Sequence, residues 1–327
     1  MRIAAYNVEW FDKLFDDDGA LRDDGGWSGR QDVTRGAQMA ALAHVFRTID
    51  ADAWIIIEAP DDSRRRSTRV ALETFAEVHN LRQRAALIGF PNHTQQEIAL
   101  LYDPDALSAR HAPGGPPAFD GEMLIDLDVD DRGDPIRWSK PPLELDLVVG
   151  GTPLHLIGVH AKSKAPHGAT SPEEIMRLSI ANRRKQLAQC IWLRQRVDAR
   201  LRDEGHLIVA GDFNDGPGLD EYEKLFGRSG VEIVLGDDLY DPHAAQALTN
   251  RFAQPTTARF WLPHEGRYLQ ALLDYIMVSP GLRARRPRWR IWHPFEDAAC
   301  FRDEALRGAL LTASDHFPVS MDLALDP

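Results

Sequence analysis

The chain has 327 residues, 43% of them apolar and 27% charged, with a net charge of −12, a globular composition with room for one large core or two modest ones. No apolar run approaches the roughly 20 residues a membrane span needs, and so acidic a surface repels polyanions at long range, which disfavours tight non-specific nucleic-acid binding but leaves room for a local basic groove or a small phosphorylated substrate. Met1 to Tyr6 enters a strand pattern without a leader signature, and Cys190 and Cys300 make neither a disulfide framework nor a metal cluster, so a reducing, cytoplasmic setting is expected.

In chain order, residues 2–8 read as a strand, with Asn7 and Glu9 near its end and on one side. A buried Asn there serves either a structural hydrogen bond or a site. A Gly/Asp-rich loop precedes a helix over 31–48, whose stripe is Val33, Ala37, Ala41 and Val45. Residues 53–57 form an apolar strand tipped by Glu58, a costly place for a carboxylate unless it is paired or binds metal. Arg64, Arg65, Arg66 and Arg69 open a second helix, as a solvated face or as a phosphate contact beside Glu58. Glu97 starts the strand ending at Tyr102.

Alternating segments at 123–129 and 143–149 predict a hairpin with a long connection, in which Asp126, Asp128 and Asp130 line a solvated strand edge. Residues 154–160 form a core strand ending in His160, followed by Lys162, Ser163 and Lys164, a combination suited to phosphate. Ser171, Pro172, Glu173 and Glu174 start a helix running to near Ala199, with Arg183, Arg184 and Lys185 on its surface. Residues 231–235 are a short apolar run, and 242–270 look loop-like, with no role assigned to His243, Arg259 or His264. Residues 272–279 read as a strand with Asp274 embedded in it, where a histidine is the natural partner. Arg283 to Trp292 reads as a basic edge strand rather than a stacking surface for nucleic acid, and Asp315 and His316 precede a last strand. With no repeat or linker, one domain over 1–327 is expected.

The central stretch is His206 to Asp215. Its apolar run ends at Ala210, Gly211 breaks it, and Asp212 and Asn214 follow with side chains on one face. A polar turn would account for these residues alone. Repeated polar residues at the tips of separate strands instead predict one shared catalytic edge. Carboxylate and amide oxygens suit a hard divalent cation.

The segments Tyr6 to Trp10, Ile57-Glu58, Gly158 to Ser163, Gly211 to Asp215, Leu273 to Ile276 and Ser314 to Pro318 resemble the endonuclease/exonuclease/phosphatase superfamily over nearly the whole chain. The resemblance implies a four-layer α/β/β/α sandwich with two facing mixed sheets. It also implies a metal-dependent phosphoesterase acting on a phosphate-ester substrate such as DNA, RNA or a nucleotide-like diester. Glu58 would hold Mg²⁺ (Mn²⁺ or Ca²⁺ as substitutes), with Asn7, Glu9 and Asp315 as ligands or supports. Asp212, helped by Asn214, would activate water. His316, paired to Asp274, would contact the scissile phosphate, and His160 would be a second histidine paired to Glu97. Ile57 stands where the family usually has Gln. The alternatives are a phosphomonoesterase or lipid phosphodiesterase of the same fold, and a catalytically silent binding module. No protein partner is expected.

Overall fold

Apolar residues alternate along the first two strands, β1 (Arg2–Asn7) and β2 (Ala53–Ala59). Ile3, Ala5, Ile55 and Ile57 enter one core, while Ala4, Tyr6, Trp54 and Ile56 enter another. A period-2 backbone with two apolar faces must be covered on both sides. The computed structural model describes residues 1–126, 133–166, 168–202, 205–218, 224, 227–249, 254–262 and 266–325.

The further strands are β3 (Ala85–Ile88), β4 (Glu97–Tyr102), β5 (Ser108–His111), β6 (Met123–Ile125), β7 (Asp134–Ile136), β8 (Leu143–Val149) and β9 (Thr152–His160). They continue as β10 (Leu207–Asp212), β11 (Ala258–Leu262), β12 (Arg267–Ala271), β13 (Asp274–Val278), β14 (Arg288–Ile291) and β15 (Val319–Asp322). The helices are α1 (Arg35–Ile49), α2 (Thr68–Val78), α3 (Pro172–Arg202), α4 (Gly230–Leu235), α5 (Pro242–Thr249), α6 (Pro280–Arg283), α7 (Ala298–Arg302) and α8 (Glu304–Ala313). Among the described residues no helix is long and apolar enough to cross a membrane.

One sheet has the order β14-β15-β1-β2-β4-β3, the other β13-β10-β9-β8-β5. Each is mixed, with a single parallel pair: β1 with β2 in the first and β9 with β10 in the second. The sheets face each other across a core to which Ile3, Ile55, Ile57 and Leu100 contribute from one side and Leu156, Ile208, Ala210 and Ile276 from the other. Residues of α1, α2, α7 and α8 cover the outer face of the first sheet, and residues of α3, α4 and α5 cover that of the second. This is the expected four-layer arrangement.

Local expectations fared less evenly. The hairpin between 123–129 and 143–149 does not form. Gly150 and Gly151, at φ of 54° and 85°, make a two-residue turn that pairs β8 with β9, while β6 pairs with β7. Asp126 is exposed, and Asp128 and Asp130 lie outside the described residues, as does His264. The run at 231–235 is a helix, with Ser229 and Glu232 forming a reciprocal capping box at its start. Residues 242–270, read as loop-like, contain α5 and the two-stranded β11–β12 ribbon. Arg66 contacts no open phosphate site: it pairs with Asp61 and donates to the backbone carbonyls of Asp12, Phe15 and Asp16. The basic stretch near Trp289 is an edge strand as expected, with Arg290 stacked on Trp292 and ion-paired to Asp297.

Candidate active site

Strand direction explains how distant polar residues meet. The carboxyl ends of the parallel strands β1, β2, β9 and β10 carry Asn7, Glu58, His160 and Asp212. β13 runs antiparallel to β10, so its first residue, Asp274, pairs with Asp212, which pairs on its other side with His160. β15 runs antiparallel to β1, which brings the preceding Asp315 and His316 to the same edge. By alternation Asn7, His160, Asp212 and Asp274 follow the residues that face the other sheet, so the site opens between the two sheets.

Asp212 is held from three directions. Asn7 Nδ2 donates to its Oδ2 at 3.0 Å, Asn214 Nδ2 donates to the same oxygen at 3.2 Å, and the Asn214 backbone N–H donates to Oδ1 at 2.7 Å. Burial, opposed by the charge of His316 and reinforced by that of Asp274, pushes its carboxyl up to about 7. His316 Nδ1 donates to Asp274 Oδ2 at 2.8 Å, and its Nε2 lies 4.0 Å from Asp212 Oδ2. Burial alone would depress this ring, but the carboxylates of Asp274 and Asp212 outweigh it and hold His316 well above its ordinary value. Thr257 Oγ1 accepts from the Asp274 N–H at 3.0 Å, and Ser314 Oγ accepts from the His316 N–H at 3.0 Å, fixing the pair from behind.

Acidic side chains crowd the other flank. Glu58 is the extra residue of a bulge in the β2–β4 pairing and has φ of 63°, a left-handed conformation that turns its side chain away from the strand's regular alternation. Its Oε2 accepts from the Trp10 N–H at 2.8 Å. Burial raises the Glu58 carboxyl despite the opposing charge of Lys140, and burial also lifts Asp315 to about 7, with His316 opposing and Glu9 adding to the rise. Glu9 is already satisfied by Arg30 and by the Asp315 N–H. Gln38 Nε2 clamps this turn to the end of α8 by donating to the carbonyls of Val8, Glu9 and Ala313.

Hard oxygen donors whose carboxyls are raised by burial and by each other fit a divalent cation. Glu58 and Asp315 fit best, because Glu9 is neutralised by Arg30 and Asn7 Oδ1 already accepts from the Glu9 N–H at 3.1 Å. Asp212, Asp274 and His316 also offer ligand atoms within 4.8 Å of one another. There, however, the His316–Asp274 hydrogen bond and the amides on Asp212 occupy all of these carboxylate oxygens but Asp274 Oδ1, and the charged imidazole stands where a cation would.

His160 behaves differently. Its Nε2 lies 3.3 Å from Lys140 Nζ, and burial, then the charges of Lys140 and His316, keep the ring well below its ordinary value and therefore neutral. The ammonium is the donor in this contact, so Nδ1 carries the ring proton. The expected Glu97–His160 pair is not formed. Glu97 is captured by Asn92, whose backbone N–H and side-chain amide donate at 3.1 and 2.8 Å in the β3–β4 connection, and His160 Nδ1 has no hydrogen-bond partner among the described residues.

Lys140, Arg30, Gln38 and Thr257 were missed because they come from loops or a helix face without a strand-tip signature. Only Lys140, just before an apolar strand and beside paired prolines, stands at a position where a boundary could have been read.

The architecture and its edge define a class of protein: a two-sheet α/β sandwich with a buried carboxylate–histidine centre between the sheets. Residues 4–316 match the Endonuclease/Exonuclease/phosphatase family, and the chain belongs to that family. Membership supports a hydrolase of phosphate esters. Similar solved structures include truncated TDP2 from Caenorhabditis elegans, with 14% identity, TM-score 0.51 and coverage of 98% of this chain and 96% of that one. An AP endonuclease from Archaeoglobus fulgidus shares 12% identity at TM-score 0.51, covering 99% and 100%. The mannosyl-6-phosphatase Bt3783 of Bacteroides thetaiotaomicron shares 14% at TM-score 0.52, also covering 99% and 100%. At such identities the likeness speaks for the fold alone. Comparison with curated proteins finds no match.

Proposed function

We propose that the protein is a divalent-metal-dependent phosphodiesterase that hydrolyses P–O bonds of nucleic-acid or nucleotide-like substrates by in-line attack of water, with the whole chain acting as one domain. The observation that carries this reading is the buried Asp212 carboxylate, fixed by Asn7 and Asn214, 4.0 Å from a histidine that Asp274 holds charged. In-line attack needs a proton acceptor for water, positive charge on the phosphoryl oxygens and a donor to them. Asp212 accepts the water proton while Asn214 keeps the carboxylate oriented. His316 Nε2–H donates to a non-bridging phosphoryl oxygen, and as the bond from phosphorus to the leaving oxygen breaks that oxygen takes a proton from solvent water. Lys140 adds positive charge beside the neutral His160. A divalent cation, when held by Glu58 and Asp315 with Asn7 and Glu9 beside them, supplies Lewis-acid polarisation of a phosphoryl oxygen; Mg²⁺ suits this donor set, and Mn²⁺ or Ca²⁺ are its natural substitutes. The buried free thiols Cys190 and Cys300 suit a reducing, cytoplasmic setting.

The test is metal-dependent cleavage of a panel containing plasmid DNA, single-stranded DNA, RNA and a chromogenic diester, with Asp212→Ala and His316→Ala run in parallel. Each variant is expected to fold and to lose about 10²- to 10⁴-fold in kcat. A near-normal rate in either variant overturns the assignment. Turnover confined to phosphomonoesters moves the substrate class and leaves the site in place.

A further inference from the structure

We propose that Lys162 and Lys185 form a second anion subsite beside the catalytic edge, which receives a phosphate group flanking the scissile one on the same substrate. The inference rests on the phosphodiesterase reading above and narrows its substrate to one carrying more than one phosphate.

Three separate pieces of chain are tied together at this place. The Lys162 N–H donates to Gln189 Oε1 at 2.9 Å, and Gln189 Nε2 donates to the Arg137 carbonyl at 3.4 Å. One turn of α3 before Gln189, Lys185 Nζ donates to Ser139 Oγ at 3.2 Å. Ser139 adjoins Lys140, which touches His160, and Lys162 lies two residues beyond His160. The loop before β8, the end of β9 and the middle of α3 therefore bring Lys162 and Lys185 to the flank of the catalytic histidines.

Both side chains are half-buried, and among the described residues neither has a carboxylate within ion-pair distance. Their neighbours differ: Lys164 is paired to Asp215 and Arg184 to Asp134. Burial and then the charge of Lys185 draw the Lys162 ammonium below its ordinary value. A chain with a net charge of −12 has carboxylates to spare, yet none of the described ones is paired with either ammonium group. A half-buried ammonium at Lys162 with a second, more exposed one at Lys185 gains from an anion between them, and a phosphate accepts from both. The acidic remainder of the surface disfavours long polyanions, so the subsite suits recognition of a neighbouring phosphate at short range.

The experiment uses the full chain and thymidine dinucleotides with no terminal phosphate, with a 5′-phosphate and with a 3′-phosphate, which also shows on which side the flanking group lies. One phosphorylated form is expected to gain about tenfold in kcat/KM over the unphosphorylated one. The Lys162→Gln/Lys185→Gln double variant should lose that gain while cleaving the unphosphorylated dinucleotide at the wild-type rate, and the corresponding double Arg variant should keep most of it. No gain in the wild type, or an equal loss on all three substrates in a variant whose Tm is unchanged, overturns the subsite. If no dinucleotide is cleaved, the phosphodiesterase reading fails by itself, and calorimetric binding of the same three ligands decides the subsite. Tighter binding of a phosphorylated form, lost in the double Gln variant, sustains it; equal binding overturns it.

Discussion

His293 and His316 share a residue type and deep burial, yet their surroundings drive them to opposite charge states. Two carboxylates face His316 and hold it protonated. The Nδ1 of His293 accepts from the backbone N–H groups of Phe295 and Glu296 at 3.1 and 3.0 Å, and its Nε2 lies 3.2 Å from Thr256 Oγ1, so only the neutral ring fits. Burial, helped by the charge of Arg259, lowers His293 from 6.5 to about 4. A folded-state value below the unfolded one means that the unfolded chain takes up the proton first, so stability present above about 6.5 is lost as the pH falls through about 4. The loss amounts to at most about 3 kcal/mol. His293→Asn keeps an acceptor for the turn but does not titrate. Urea unfolding between pH 7 and pH 4 should show a flatter profile for this variant than for the wild type. Parallel profiles would remove His293 from the acid response.

At the scale of elements, the catalytic edge depends on how β9 and β10 end. Gly211 has φ of +133°, and a Cβ placed there would lie 2.2 Å from the Val159 carbonyl oxygen in the neighbouring strand. Both the backbone conformation and the missing side chain are therefore required for Asp212 to leave the strand where it does. Gly211→Ala should destabilise the fold by roughly 3 kcal/mol or more and lower activity together with stability, as thermal unfolding and turnover measured side by side will show. Wild-type Tm and rate would contradict the steric argument. This element was legible beforehand: the apolar run, the Gly break and the Asp–Asn spacing mark a strand end in any context. The β11–β12 ribbon was not, since Arg259 and Phe260 are only partly buried, Trp261 is exposed, and the strand carries little apolar periodicity. Glu97 shows a further limit. Its place at the head of β4 was read correctly, but its partner Asn92 was decided by the short connection from β3.

At the scale of the whole molecule, the site joins the two sheets, because Asn7 of the first reaches Asp212 of the second. The first sheet also brings Glu9 and Glu58 close enough to raise Asp315 further than burial alone does, a repulsion that the fold tolerates at some cost. A cation bound there stabilises the native state by mass action, by about 2.7 kcal/mol at a concentration 100 times Kd. Millimolar Mg²⁺ or Mn²⁺ should therefore raise the wild-type Tm by several degrees, and EDTA should reverse the shift. Glu58→Gln should lose most of that rise while its metal-free Tm equals or exceeds that of the wild type. A full metal-dependent rise in the variant would place the cation elsewhere.

The amino-acid sequence by itself determined the strands and their polar tips, because a period-2 pattern with a Gly or charged break is a local property of the chain. It likewise carried the family resemblance, which sits in those same tips. Tertiary packing alone sets Lys140 beside His160, Arg30 on Glu9, Asn92 on Glu97 and the Lys162 backbone on Gln189 of α3. These pairings depend on sheet register, on the bulge at Glu58 and on where α3 crosses the second sheet, and none of those distances is encoded in the spacing of neighbouring residues.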